Sequence, residues 1–381
     1  MNKKLLCGVL SLTLGLSVLT GCSSSGAGNE DVIKIGGLGP LTGDAATYGQ
    51  SVKNGAELYV EEINNTGGIN GKKVELVFED DQADPNSSMQ AFNKLVNNDK
   101  VVGIIGPTTS GAALAVAPNA TSQKVPMITP SGTEPTITVK GGEYVFRGCF
   151  VDSFQGEMLA KYAKENLGKT TAAVLYNAGS DYSKGIADAF KAKFEALGGK
   201  VTDYSSYNDG DTDFNAQLTS IKSNNPDVLV LPDYYNVVSL IAKQARDNGI
   251  TSQFLGGDGW ESEELATIGG NAVNGALYLN HYYSEDEDEQ VKSFVDAYTA
   301  KYNAAPDAFA ALSYDSTRIL LDAVAASGDY SPEKIIEAMK ATDLDSVTGH
   351  ITFDENRSAV KSATVIQVDG DNKVLVDKVN P

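Results

Sequence analysis

The chain has 381 residues, 50 acidic against 30 basic side chains, and a formal net charge of −20. So acidic a surface repels nucleic acid and anionic lipid head groups, while two isolated histidines and three cysteines leave no material for a metal cluster or a disulfide framework. Stability must then come from burial, and the length is enough for one core and more readily for two.

At the start, Lys3 and Lys4 precede an apolar run from Leu5 to Leu19, and Ser23-Ser24-Ser25-Gly26 follows it. A charged start, a short apolar middle and a small-residue exit predict a secretory signal over residues 1–21, too short to span a bilayer. A buried N-terminal helix would not lead into a Ser/Gly tether like residues 22–30. The junction Leu19-Thr20-Gly21-Cys22 resembles the lipobox of bacterial lipoproteins, which implies lipidation of Cys22 and an extracytoplasmic, lipid-anchored location. Stable anchoring takes more than one acyl chain, as that resemblance also implies. Cleavage would remove Lys3, Lys4 and no acid, taking the net charge from −20 to −22. Cys7 falls in the signal, so Cys149 is left alone and is expected to be a small buried hydrophobe.

From Asp31 onward, short β-rich runs alternate with helical stretches. The runs are residues 32–38, 74–80, 101–106, 126–129, 172–176, 227–232 and 253–257. Val52, Ala56, Tyr59, Val60 and Ile63 show the helical spacing between the first two. Gly67-Gly68 should close that helix, Pro85-Asn86 open the next, Gly198-Gly199 end the one beginning near Asp181, and Pro118 kink or end another. The run from Glu285 to Glu289 is expected at a helix start, where the dipole favours acids. Near residue 150 the pattern restarts with a helix from Asp152 and the strand TAAVLY, without an internal sequence repeat. The expected fold class is α/β, with two doubly wound parallel-sheet lobes and a cleft between them for a small ligand.

Ligands bind such sheets at the carboxyl ends of the strands, so the residues just beyond each strand are the candidates. After the first comes GGLGPLTGDAATYGQ, whose glycines are one residue out of step for a dinucleotide loop and whose Pro40 removes an amide; Tyr48 is the residue presented to the cleft. After the third comes GPTTSGAAL, which has the glycine spacing of a phosphate loop but Ala112 and Ala113 where lysine and a hydroxyl belong. Thr108, Thr109 and Ser110 at a helix start suit one carboxylate, with plain N-capping by Ser110 as the simpler reading. Ser131 and Thr133 in ITPSGTEP repeat the arrangement on the next strand, which favours an anion site. In the second half Tyr182, Tyr234, Tyr235 and Asp258, with Trp260 beyond, follow strands. An acid beside aromatic faces can hold an ammonium, and the two halves together describe a zwitterion.

The phrases IKIGGLGPLTGDAATYG, GAELYVEEINNTGGINGKKVEL, GPTTSGAALAVAP, VPMITPSGTEP and FLGGDGW, in that order, resemble the branched-chain amino-acid (Leu/Ile/Val)-binding proteins of ABC importers, of the type I periplasmic binding protein family. The resemblance implies a three-segment hinge with crossovers near residues 150, 281 and 361, lobe 1 from 31–150 with 282–361, and lobe 2 from 151–281 with 362–381. By position, Ser110, Ser131 and Thr133 match residues that hold the ligand's carboxylate and ammonium. Asp258 matches the acid that pairs with the ammonium, where leucine-binding members carry Glu. Tyr48, Tyr182 and Tyr234 match aromatic residues lining the cleft, and Tyr314 matches the side-chain pocket. The expected function is capture of a neutral amino acid by a monomer that passes it to permease subunits, with no catalytic residue and no cofactor. The rival readings are a sensory or regulatory amino-acid-binding domain on the same fold, an exported hydrolase, which would need the nucleophile elbow this sequence lacks, and a surface adhesin, which would need no closed cleft.

Overall fold

The computed structural model describes residues 32–379, so the secretory signal, the tether and Cys22 lie outside the described residues. The first sheet is parallel throughout, in the order β2-β1-β3-β4-β5, from β1 (Ile33–Gly39), β2 (Val74–Asp80), β3 (Ile104–Ile105), β4 (Met127–Thr129) and β5 (Val145–Arg147). The helices α1 (Ala46–Asn65), α2 (Pro85–Lys94), α3 (Ser110–Ser122) and α4 (Thr136–Lys140) connect these strands. The sheet is buried on both faces, which is why its strands read as apolar runs rather than alternations.

The chain then builds a seven-stranded sheet in the order β15-β14-β10-β9-β8-β6-β7. Its first strands are β6 (Thr171–Asn177), β7 (Lys200–Tyr207), β8 (Val228–Val230), β9 (Gln253–Gly256) and β10 (Leu277–Asn280), all parallel. Around them run α5 (Asp152–Lys161), α6 (Asp181–Ala196), α7 (Asn215–Asn224), α8 (Tyr235–Asp247) and α9 (Glu264–Gly269). In α8 the buried residues Tyr235, Val238, Ile241, Ala242 and Ala245 recur every three or four positions, the stripe a helix needs to lie on a sheet.

After β10 the chain returns to the first sheet as α10 (Glu289–Tyr302), α11 (Ala308–Ser327), α12 (Pro332–Lys340) and a small antiparallel sheet of β11 (Asp343–Ser346), β12 (Gly349–Phe353) and β13 (Ala359–Val360). Ile319, Leu320 and Val324 of α11 share a core with Ile33, Ile35, Ile105 and Ile128 of the first sheet. The chain then crosses a third time to add β14 (Ala363–Asp369) and β15 (Asn372–Val379) to the edge of the second sheet. Both of these run antiparallel to their neighbours, so the second sheet keeps the expected parallel core of five strands and adds an antiparallel edge. A two-residue turn, Gly370-Asp371 with Gly370 at φ 59, joins them, and parallel strands cannot be joined so tightly.

Helix punctuation follows the sequence closely. α1 stops just before Gly67 and Gly68, both at positive φ, and α6 stops before Gly198 at φ 77. α2 opens at Pro85 behind Asp84, whose side chain accepts the Ser87 amide. The acidic run leads into α10 through Asp288, which accepts the Gln290 amide. Pro118 does not end its helix: α3 runs on to Ser122. Cys149 is fully buried, and burial pushes its thiol pKa up, as an unreactive side chain requires.

Candidate functional site

In an open parallel sheet the crevice lies where neighbouring strands send their connections to opposite faces. That point falls between β1 and β3 in the first sheet and between β6 and β8 in the second. The loops leaving these strands, with those after β4 and β9, enclose one cavity. Tyr48, Thr108, Thr109, Ser110, Ser131, Thr133, Tyr182, Tyr234, Asp258, Gly259 and Phe309 line it. Most of the residues singled out from sequence therefore come together, but Tyr235, Trp260 and Tyr314 do not line the cavity: Tyr235 OH donates to the Asp44 carbonyl and Trp260 Nε1 to the Leu231 carbonyl, both at 2.9 Å. Tyr314 donates through its hydroxyl to Glu62 Oε2 at 2.6 Å and meets Tyr59 edge-on. Phe309, five residues earlier and ~140° round the same helix, occupies the cavity wall instead.

The first-sheet wall is made of hydroxyls. Thr109, not Ser110, is the N-cap of α3, and its side chain makes no capping bond. Ser110 Oγ instead accepts the amides of Thr133 and Glu134, at 3.1 and 3.2 Å, tying the ends of two loops together. A hydroxyl has one proton to give, and that of Ser110 is left for the cavity. Ser131 is the reverse case: it donates to the Thr108 carbonyl at 2.8 Å, so toward the cavity it can only accept. Thr109 Oγ1 and Thr133 Oγ1 are buried without a hydrogen-bond partner of acceptable geometry among the described residues. Orphaned buried hydroxyls cost stability unless something else meets them, so they point to a ligand.

The second-sheet wall is built on Asp258. Its Oδ1 accepts Tyr182 OH at 2.9 Å and Gln155 Nε2 at 3.0 Å, while Oδ2 lies 2.9 Å from His281 Nε2. The Asp258 amide donates back to Gln155 Oε1 and the Gly259 amide to Tyr182 OH, both at 2.9 Å. Glycine is required at 259, because a Cβ there would meet Tyr182 Oη at 2.7 Å and the Tyr234 ring at 2.9 Å. The rings form a cage: Tyr182 stacks on Tyr234 at 5.1 Å, Tyr48 stacks on Phe309 at 4.2 Å, and Tyr48 meets Tyr234 edge-on at 5.5 Å. Tyr48 OH also donates to the Gly259 carbonyl, so α1 reaches across and the two sheets are closed on each other.

No Lys, Arg or His lines the cavity among the described residues. Burial raises the pKa of Tyr48, Tyr182 and Tyr234 well above the ordinary phenol, keeping all three as hydroxyl donors. Asp152, at the start of α5, gives its amide to the Thr133 carbonyl at 3.0 Å, and burial raises its carboxyl pKa well above the usual range. Among the described residues no group of three or more His, Cys, Asp or Glu side chains is arranged to hold a metal ion.

Three participants were not legible in sequence. Phe309 lies in the first turn of α11 just after the N-cap Asp307, as Tyr182 lies just after Ser180 at the start of α6, and that recurrence was the available signal. Gln155 sits inside a helix far from any strand end. His281 reads as an isolated histidine, yet it is buried and bonded to Asp258 across 23 positions of chain.

Comparison with known proteins fits this geometry. The family model described as periplasmic binding protein matches residues 32–373. A leucine-, isoleucine-, valine-, threonine- and alanine-binding protein of Pseudomonas aeruginosa is 33% identical over 325 residues, 85% of this chain and 86% of that one. Among solved structures, the leucine-binding protein LivK of Thermotoga maritima aligns with TM-score 0.87 and 38% identity, covering 92% of this chain and 99% of that one. The branched-chain amino-acid transporter substrate-binding protein LivJ of Streptococcus pneumoniae, in complex with isoleucine, aligns with TM-score 0.87 and 36% identity, covering 92% and 100%.

Proposed function

The chain belongs to the periplasmic binding protein family, and from that membership we propose that it captures one neutral amino acid, branched-chain first among them, for an ABC importer. The observation that carries this reading is the cavity itself: a buried carboxylate and a set of uncharged donors face one small aromatic-walled space that no cationic side chain of the described residues lines. A zwitterion satisfies both sides at once. Its carboxylate takes the protons of Ser110, Thr109 and Thr133 and the free amides at the start of α3, where the helix dipole favours negative charge. Its ammonium lies against Asp258, Ser131 Oγ and the ring faces. A charged ligand side chain would find no partner, so the side chain is neutral.

The lobes proposed are residues 31–150 with 282–361 and 151–281 with 362–381, hinged where the chain crosses. Ligand touches both only when they are shut, so binding shifts an open–closed equilibrium toward the form a permease recognises. The working protein is an extracytoplasmic monomer held by lipid on Cys22, and Cys22→Ala should move it from the membrane to the soluble fraction. The decisive measurement is a thermal-shift screen over all natural amino acids. A true ligand at 100 times its Kd stabilises by about 2.7 kcal/mol. If no amino acid raises the Tm, the reading fails.

A further inference from the structure

Among the groups around the cavity, His281 has no part in the amino-acid contacts, yet its place in the fold is specific. It follows β10 directly, where the chain leaves the second sheet for the first. Its ring stacks on Phe150 at 3.6 Å between centroids and 22° between planes, and Phe150 belongs to the segment that links β5 to α5. The imidazole is buried, with its Nε2 at 2.9 Å from Asp258 Oδ2. An ionised carboxylate only accepts, so Nε2 carries the proton. Burial lowers the pKa of His281, which favours the neutral ring; a second positive charge against Asp258 would compete with a ligand's ammonium.

We propose that His281 is a positioning residue for ammonium capture: from the chain crossing, it holds Asp258 Oδ2 so that the carboxylate faces the bound amino acid. This rests on the amino-acid site proposed above. Asp258 carries its carboxylate on a single methylene, too short to swing to a new position. Its aim is therefore set by what grips its two oxygens. Tyr182 and Gln155 grip Oδ1; among the described residues His281 is the hydrogen-bond partner of Oδ2. Tyr182 and Gln155 come from α6 and α5, which pack on the second sheet with Asp258, whereas His281 sits where two crossing segments meet. Through it the orientation of the ammonium acceptor is tied to the position of the hinge.

A double-mutant cycle read by calorimetry, with the best ligand of the amino-acid screen, tests the inference. The variants are His281→Gln, whose Nε2 reaches where the imidazole Nε2 lies, His281→Asn, whose amide falls short, and Asp258→Asn. His281→Asn should weaken binding at least about tenfold, the size of one hydrogen bond to a charged group, while His281→Gln stays within about threefold of the parent. On the Asp258→Asn background the penalty of His281→Asn should shrink to less than about twofold, because the carboxylate it serves is gone. Equal losses on both backgrounds would mean a purely structural histidine, and no loss on the parent background would remove His281 from binding; either result overturns the inference. If Asp258→Asn alone leaves affinity unchanged, the fault lies with the proposed site and not with His281.

Discussion

At the scale of single residues, the site separates side chains that the sequence alone treats alike. Ser110, Ser131 and Thr133 all look like hydroxyls at strand ends, but hydrogen-bond accounting gives them different work. Among the described residues Thr133 Oγ1 makes no hydrogen bond of good geometry, its one polar neighbour being the Asp152 carboxyl, so Thr133→Val should change the ligand-free Tm little. The same substitution should cost about 1.5–3 kcal/mol of amino-acid affinity, the worth of a hydrogen bond to a charged group. Ser110→Ala should lose both, because the amides of Thr133 and Glu134 would also lose their acceptor. Calorimetry and thermal melts on the two variants check the contrast, and parallel losses of stability would refute this division of roles. Asp258→Ala should weaken binding by roughly 2–5 kcal/mol, as the ligand's ammonium would be buried unpaired. Unchanged affinity in that variant would remove Asp258 from the site. Asp258 was legible because it follows a strand. Gln155 and His281 were not, since what they do depends on where α5 and β10 end up relative to β9, and local sequence carries no record of that.

At the scale of elements, α1 and α11 bring Tyr48 and Phe309 together, and they can do so because Gly55 lets the helices touch. A Cβ on Gly55 would lie 2.1 Å from the Ala310 carbonyl oxygen, a backbone atom that cannot turn aside. Gly55→Ala should therefore push α11 away from α1, costing on the order of 1–3 kcal/mol of stability. It should also weaken ligand binding by loosening the Tyr48–Phe309 stack at 4.2 Å, although neither ring is altered. Denaturant melts and a binding isotherm on this variant decide it; a stability loss with intact affinity would show that the helix contact does not reach the cage. The same scale shows what the sequence could and could not reveal. Strands buried on both faces, such as β6 and β9, announce themselves as apolar runs. β7 (KVTDYSSY) and β15 (NKVLVDKV) lie at opposite edges of their sheet and mix charge with apolar residues, so neither stands out from a loop. α3 carries Pro118 without stopping, because its lost hydrogen bond is outweighed by a buried face of Ala112, Ala113, Val116, Ala117 and Ala120.

At the scale of the whole molecule, the net charge of −20 and the buried carboxyls act in the same direction. Burial pushes the pKa values of Asp81 and Asp233 up to about 6, and burial followed by the nearby charge of Glu261 does the same to Asp307. A carboxyl whose folded pKa lies above its unfolded one binds protons better in the native state. Its contribution is fully present below about pH 4 and is lost as pH rises through about 6. His281 opposes this: its lowered pKa makes the fold lose stability as pH drops below the ordinary histidine value of about 6.5. Three carboxyls outweigh one imidazole, and Asp152, also raised by burial, adds to their side. Protonation also relieves the mutual repulsion of an acidic surface. Exposed acids with depressed pKa values, such as Asp84 and Asp329, turn the balance only at stronger acid, where they lose their hydrogen bonds. The ligand-free protein should therefore be more stable near pH 5 than at pH 7.5, by about 2 kcal/mol or a few degrees of Tm at fixed ionic strength. Scanning calorimetry at the two pH values measures this directly, and Asp81→Asn should remove part of the slope, because an amide at that position cannot ionise. A Tm that falls steadily from pH 7.5 to 5 would mean that these carboxyls are not held protonated by the fold, and that the cavity's neighbour Asp233 carries a full charge behind Tyr234.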